Sequence, residues 1–269
     1  MFASIPRRVR TLALAAGLAV AVSAPLAAPT VAAEASRLDE IVSRGVLRVG
    51  TTGDYRPFTY LNKETGQYEG YDIDMANALA TALGVKLELV GTSWPTLAKD
   101  FEADKFDVAM GGVSITLDRQ KKGLFTIPIM REGKTPIVRC GDVAKFQTVA
   151  DIDKPGVRVI VNPGGTNERF DRANFKTAEI KVHPNNVEVF DEVAKGNADV
   201  MITDASETLF QQKLHPGVLC AVHPDKPFDF AEKGYWLQRD GALKAFVDQW
   251  LHISGETGAT AKVYAKWFN

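Results

Sequence analysis

A chain of 269 residues, 45% hydrophobic and 24% charged, has the composition of a globular protein with ample core. Its formal net charge of -1, with no basic stripe interleaved with aromatics, argues against nucleic acid as the main partner. His183, His215, His223 and His252 lack metal-ligand spacing, and there is neither a Gly-x-Ser-x-Gly elbow nor a phosphate loop with Lys and Ser/Thr.

The N-terminus has the three parts of a secretory signal. Arg7, Arg8 and Arg10 form a positive region, Leu12 to Val22 an apolar core too short to span a bilayer comfortably, and Val31-Ala32-Ala33 a small-residue exit before Glu34. Cleavage after Ala33, export and no stable membrane association afterwards are the expectations; an uncleaved anchor is the other reading. In an exported protein two cysteines, Cys140 and Cys220, most economically form one disulfide; two free buried thiols are the other reading.

In chain order, a helix-like segment from Leu38 to Val42 precedes Val46 to Gly50, which alternates like a strand. Pro57 and Phe58 force an extended turn. A helix opens at Gly70-Tyr71-Asp72: Ile73, Ala76, Leu79, Ala80 and Leu83 recur at helical spacing, and Gly84 is a natural stop. Val85 to Val90 reads as a strand, Trp94 to Phe101 as a helix and Phe106 to Met110 as a strand. This alternation predicts a mostly parallel sheet with helices on both faces. It then repeats, with strands over Thr135 to Arg139, Val157 to Val161, Ile180 to Val182 and Asp199 to Ile202. Helices starting near Thr166, Val187 and Ser206 interleave with them, and two amphipathic helices, Leu243 to Ile253 and Ala259 to Trp267, close the chain. Two α/β units imply two lobes, with a ligand cleft outside the carboxyl ends of their strands.

Within the second unit, Val159 to Phe170 reads as an apolar strand, a Pro163-Gly164-Gly165 breaker and a helix start. Free N–H groups at such a start, with the helix dipole behind them, suit a bound carboxylate. Glu168 lies in that first turn. It is either an ordinary ionised acid favoured by the dipole or a group with chemistry of its own.

Five segments carry a resemblance: Thr52-Gly53-Asp54-Tyr55-Arg56-Pro57-Phe58, Glu69-Gly70-Tyr71-Asp72-Ile73-Asp74, Ser114-Ile115-Thr116-Leu117-Asp118-Arg119, Gly165-Thr166-Asn167-Glu168 and Thr203-Asp204. Their order and spacing resemble the periplasmic amino-acid-binding proteins of ABC importers. The resemblance implies an α/β, two-lobed type II clamshell in the periplasm. Residues 34–130 plus 229–269 would form one lobe and 131–228 the other, with both cysteines in the second. Longer runs, among them Thr92-Ser93-Trp94-Pro95, Cys220-Ala221-Val222-His223-Pro224 and Pro227-Phe228-Asp229-Phe230-Ala231-Glu232-Lys233, are similar to the cyclohexadienyl dehydratases. Those are enzymes built on the same clamshell. They convert prephenate to phenylpyruvate and arogenate to phenylalanine by coupled loss of water and carbon dioxide, and need no cofactor. A transport-associated binding protein for a polar or aromatic amino acid is the alternative implied by the wider resemblance.

Such chemistry requires a general acid for the departing ring hydroxyl. The resemblance points to Glu168, which burial would then have to keep protonated. It assigns Arg119 to a substrate carboxylate, with Ser114 and Thr116 as further donors or as helix caps. Tyr55 and Trp94 would sandwich a flat ring. Asp204 would hold the amino group of arogenate, with a helix N-cap as its competing role. Thr166 and Asn167 would donate to the second carboxylate or to the leaving hydroxyl. Thr52 stands where many amino-acid binders have an aspartate, which suits a dianionic ligand.

Overall fold

The computed structural model describes residues 1–3 and 36–269, so nearly all of the segment read as an export signal lies outside the described residues. Two five-stranded sheets follow one another. The first has the order Lys86–Gly91, Val46–Thr51, Val108–Ala109, Trp236–Leu237, Leu124–Phe125. The second runs Glu179–Val182, Arg158–Val161, Val200–Asp204, Lys134–Arg139, Leu219–Ala221. In each, the three strands laid down by successive β-α-β units are parallel. The other two strands of each sheet pair antiparallel, so the sheets are mixed where the alternation alone predicts mostly parallel ones. A strand arriving from the opposite lobe enters at the cleft end, where its neighbours finish. Lys134–Arg139 and Trp236–Leu237 therefore run against them.

Met130–Glu132 and Ala231–Lys233 pair antiparallel and carry the chain from one sheet to the other and back. We propose that the lobe boundaries, read from sequence at Met130 and Asp229, fall at this pair. Three short antiparallel strands at Asp54–Tyr55, Thr59–Leu61 and Tyr68–Glu69 form a flap that strand periodicity did not reveal. The helix expected from Trp94 begins only at Leu97, because Ser93 to Thr96 form a turn around Pro95. Among the described residues no helix is long and apolar enough to cross a membrane.

Burial on both faces explains why the central strands read as continuous apolar runs. In the second sheet, Ile137 and Met201 pack on one face with Val189 and Phe190, while Val138, Val200 and Ile202 pack on the other with Val159 and Phe175. In the first, Phe101 stacks on Trp236 with ring centroids 3.8 Å apart on one face, and Leu47, Val108 and Leu237 join the opposite cluster. Both sheets share one electrostatic device. Asp107, just before a central strand, accepts from the backbone N–H of Arg48 at 2.8 Å and from its guanidinium at 2.8 Å. Asp199 does the same for Arg158, at 2.9 and 2.6 Å. Each aspartate ties the start of one parallel strand to its neighbour, a charge-assisted register pin repeated in the two lobes.

Cys140 and Cys220 form a disulfide that joins the end of strand Lys134–Arg139 to edge strand Leu219–Ala221, across 80 residues of sequence. Closing a loop of that length is worth about 4–5 kcal/mol in the chain-entropy model. The double variant Cys140→Ser/Cys220→Ser is expected to lose stability of that order in urea unfolding. Coincident urea midpoints for variant and parent would show that the bond adds nothing.

Candidate functional site

The carboxyl ends of the parallel strands face each other across the cleft, and the lobes meet there. Tyr55 donates from its hydroxyl to Asp204 Oδ2 at 2.5 Å, Asn186 Nδ2 to the carbonyl of Asp54 at 3.0 Å. Gly164, at φ 82°, lies so close to the other lobe that a Cβ would come within 2.6 Å of Pro95. The breaker before Thr166 thus needs its glycine for conformation and for close approach.

Between the lobes is a narrow cavity lined by Tyr55, Trp94, Gly112, Ser114, Asn162, Gly165, Thr166, Asn167, Asn186 and Asp204. The first lobe supplies the aromatic wall. Tyr55 stacks on Phe58 with centroids 5.3 Å apart, Trp94 meets Tyr55 edge-on, and the Trp94 indole N–H donates to Asp54 Oδ1 at 3.0 Å. Gly112, at φ 71°, leaves room for the Tyr55 ring, which a Cβ would overlap at 2.4 Å. Its N–H is fixed by buried Asp72 at 2.6 Å.

The second lobe supplies donors. Helix Thr166–Asn174 starts at the cavity, and the N–H groups of Gly165, Thr166 and Asn167 find no acceptor among the described residues. A carboxylate fits there. Asn186 is 3% exposed, and its Oδ1 is buried without a partner, an acceptor waiting for a ligand hydroxyl.

The floor is a buried ion cluster. Asp204 accepts from Lys134 Nζ at 2.6 Å through Oδ1, and from Lys233 Nζ at 2.7 Å and Tyr55 through Oδ2. Burial alone would raise its carboxyl, but the two lysines hold it well below the carboxylate range. Lys233 also pairs with Glu132 at 2.9 Å, and Lys134 donates to Thr166 Oγ1 and Asn167 Oδ1. Asp204 is therefore not a vacant acceptor for an amine, and its side chain makes no helix-cap bond either. Lys134 and Lys233 were missed in the sequence because each sits in a short strand where a lysine looks like an edge residue.

Glu168 lies in the first turn of that helix. Its carboxylate reaches back to the N–H of Gly164 at 2.6 Å and pairs with Arg172 at 2.7 Å, outside the cavity lining. The Gly164 hydrogen bond, reinforced by Arg172, lowers its carboxyl from the ordinary value, and a ligand that displaces those partners or adds negative charge beside it would raise it. Thr116 caps helix Leu117–Gln120 and lies outside the inner cavity. The side chains of Thr166 and Asn167 accept from Lys134, and Asn167 Nδ2 donates to Thr203 at 3.0 Å. The Asn167 side chain is thus committed, while the Thr166 hydroxyl proton and the backbone amides of both remain for a ligand.

Arg119 is buried behind Ser114, donating to its carbonyl at 2.8 Å. Burial, with the like charge of Arg169, pulls the guanidinium down to about 10, so it stays charged. Glu207, which the sequence did not single out, is 1% exposed and accepts from Thr203 Oγ1 at 2.5 Å. Burial pushes its carboxyl well above the ordinary range, and the negative charge of Asp204 adds to this despite the two lysines. The hydrogen-bond chain here runs inward, from Asn167 Nδ2 to Thr203 Oγ1 to Glu207, behind the cavity wall. The only sequence sign of Glu207 was its position three residues after Asp204.

This arrangement matches known proteins. Residues 47–269 fit the family of bacterial extracellular solute-binding proteins, family 3, and the chain belongs to that family. A relative from Pseudomonas aeruginosa named cyclohexadienyl dehydratase is 55% identical over 249 residues, covering 93% of this chain and 92% of that protein. The L-cystine-binding protein TcyJ of Escherichia coli is 26% identical, covering 95% and 94%. Among solved structures, an ancestral amino-acid-binding protein described as a precursor of cyclohexadienyl dehydratase superposes with a TM-score of 0.80. It is 39% identical, with coverage of 87% of this chain and 100% of that one.

Replacing Asp204 with alanine leaves two buried lysines without their counter-charge. Asp204→Ala is expected to cost about 3–5 kcal/mol of unfolding free energy at neutral pH. Because the folded carboxyl is depressed, this stabilisation is complete above the ordinary carboxyl value and is lost as pH falls below it. A urea midpoint equal to that of the parent at pH 7 would show that the lysines find other partners.

Proposed function

We propose that the chain is a periplasmic cyclohexadienyl dehydratase, acting on prephenate and arogenate with Glu168 as general acid once a bound dianion raises its carboxyl above the value it has beside Arg172. The observation that carries the reading is an interlobe cavity that sets a flat aromatic wall against the free backbone donors of a helix start, with Glu168 in the first turn of that helix. The 55% identity to a named dehydratase supports it. The saturation of Asp204 weighs against a site whose purpose is to hold an amino group.

The reaction asks for three things. Carboxylates must be held, which the amides of Gly165 to Asn167 and buried Arg119 suit. The dienyl ring must lie against a flat wall, which Tyr55 and Trp94 provide. A proton must reach the departing hydroxyl. As the ring C–carboxylate bond breaks, its electron pair enters the ring, carbon dioxide leaves, and the C–O bond opposite breaks. The proton of the general acid, Glu168 in this reading, turns the leaving hydroxide into water, and that partly exposed carboxyl is reprotonated from solvent before the next turnover. Asn186 Oδ1 is suited to orient the hydroxyl. Aromatisation drives the step, so one acid and good positioning suffice.

Incubation with prephenate at neutral pH is expected to yield phenylpyruvate. Glu168→Gln should lower kcat by about 10²–10⁴-fold with KM little changed, whereas Glu207→Gln, outside the cavity lining, should retain most of the activity. Since the acid works protonated, kcat should fall as pH rises through the value its carboxyl takes in the ligand complex. Tight amino-acid binding with no turnover would instead return the transport reading, and an active Glu168→Gln enzyme would remove Glu168 from the mechanism.

A further inference from the structure

A second, open cavity of about 290 Å³ adjoins the inner one, sharing Ser114 and Thr166 as a common neck. Arg169, Lys134, Thr116, Asp229, Phe170 and Phe230 are among its walls. Lys134 is occupied by Asp204, and Asp229 Oδ1 accepts from the Lys134 N–H at 2.6 Å. Arg169 is different. It is exposed, and it has neither an ion pair nor a side-chain hydrogen bond among the described residues, although Arg172 on the same helix is tied to Glu168. Its charge nevertheless reaches the buried guanidinium of Arg119, which it opposes. Phe230, 63% exposed, offers an apolar face in the same cavity.

Two like charges arranged in sequence, one free at the mouth and one buried behind the neck, attract an anion inward. We propose that Arg169 is the capture residue for the dianionic substrate, holding a carboxylate in the outer cavity before the ligand passes the Ser114–Thr166 neck toward Arg119. This role rests on the dehydratase reading and goes beyond it. The outer cavity selects by charge: prephenate, with two carboxylates and no amine, gains more from Arg169 than arogenate, whose ammonium offsets one of its carboxylates. Arg169 acts on arrival and takes no part in the proton transfer.

The test is steady-state kinetics of the full chain with both substrates over a range of ionic strength. Arg169→Gln and Arg169→Glu are expected to leave kcat within about twofold, to lower kcat/KM for prephenate by about tenfold in the Glu variant, and to flatten its salt dependence. The loss for arogenate should be several-fold smaller. Lys176→Gln, an exposed cation removed just past the same helix and outside both cavities, should reproduce none of this. Equal losses for the two substrates, an unaltered salt slope, or a fall in kcat alone would overturn the role of Arg169 while leaving the enzyme in place. A parent protein without turnover on either substrate would overturn the dehydratase reading, and this role with it.

Discussion

The buried carboxylate of Asp204 is the point on which both lobes converge. It grows from the end of a central strand of the second lobe, accepts from Tyr55 of the first, and is neutralised by Lys134 and Lys233. Lys233 itself lies in the strand that returns the chain between lobes. Three charged groups out of water are tolerable only when each is paired and hydrogen-bonded, and this pairing requires the lobes to be together. The geometry of the closed cleft, the positions of Thr166 and Asn167, and the packing of the Tyr55 ring all follow from it.

The same cluster decides the fate of the two glutamates. Glu168 is free to find the Gly164 amide and Arg172 at the surface, and both favour its charge. Glu207 is trapped beneath Thr203 beside an obligatory negative charge, which together with burial raises its carboxyl. Two acids of the same type, each in the first turn of a helix that follows a central strand, are thus shifted in opposite directions by desolvation and neighbours alone.

The lobes divide the labour around that floor. The first contributes rigid aromatic surface, with Trp94 and Tyr55 locked by Asp54, Phe58 and Asp204. The second contributes backbone donors from a helix start and the Asn186 amide. A flat ring bearing carboxylates is complementary to the pair and to neither lobe alone. The repeated Asp107–Arg48 and Asp199–Arg158 pins keep the parallel strands of each half in register, at the ends remote from this chemistry.

Local pattern in the sequence determined most of the frame. Helical spacing from Ile73 to Leu83 with Gly84 beyond it, the strand–breaker–helix at Val159 to Phe170, and the repeat of α/β units all report interactions between residues near in the chain, and these formed as expected. The pairing of Cys140 with Cys220 was legible from number and compartment. Mixed strand direction was not, because it depends on which end of a sheet the crossing chain enters. Nor was the charge state of any acid. Lys134, Asp204, Glu207 and Lys233 are scattered over a hundred residues, and each alone resembles a surface charge. Only folding removes their water and sets them within hydrogen-bonding distance, and desolvation and Coulomb energy at a few ångströms are properties of that assembled space, absent from the order of residues along the chain.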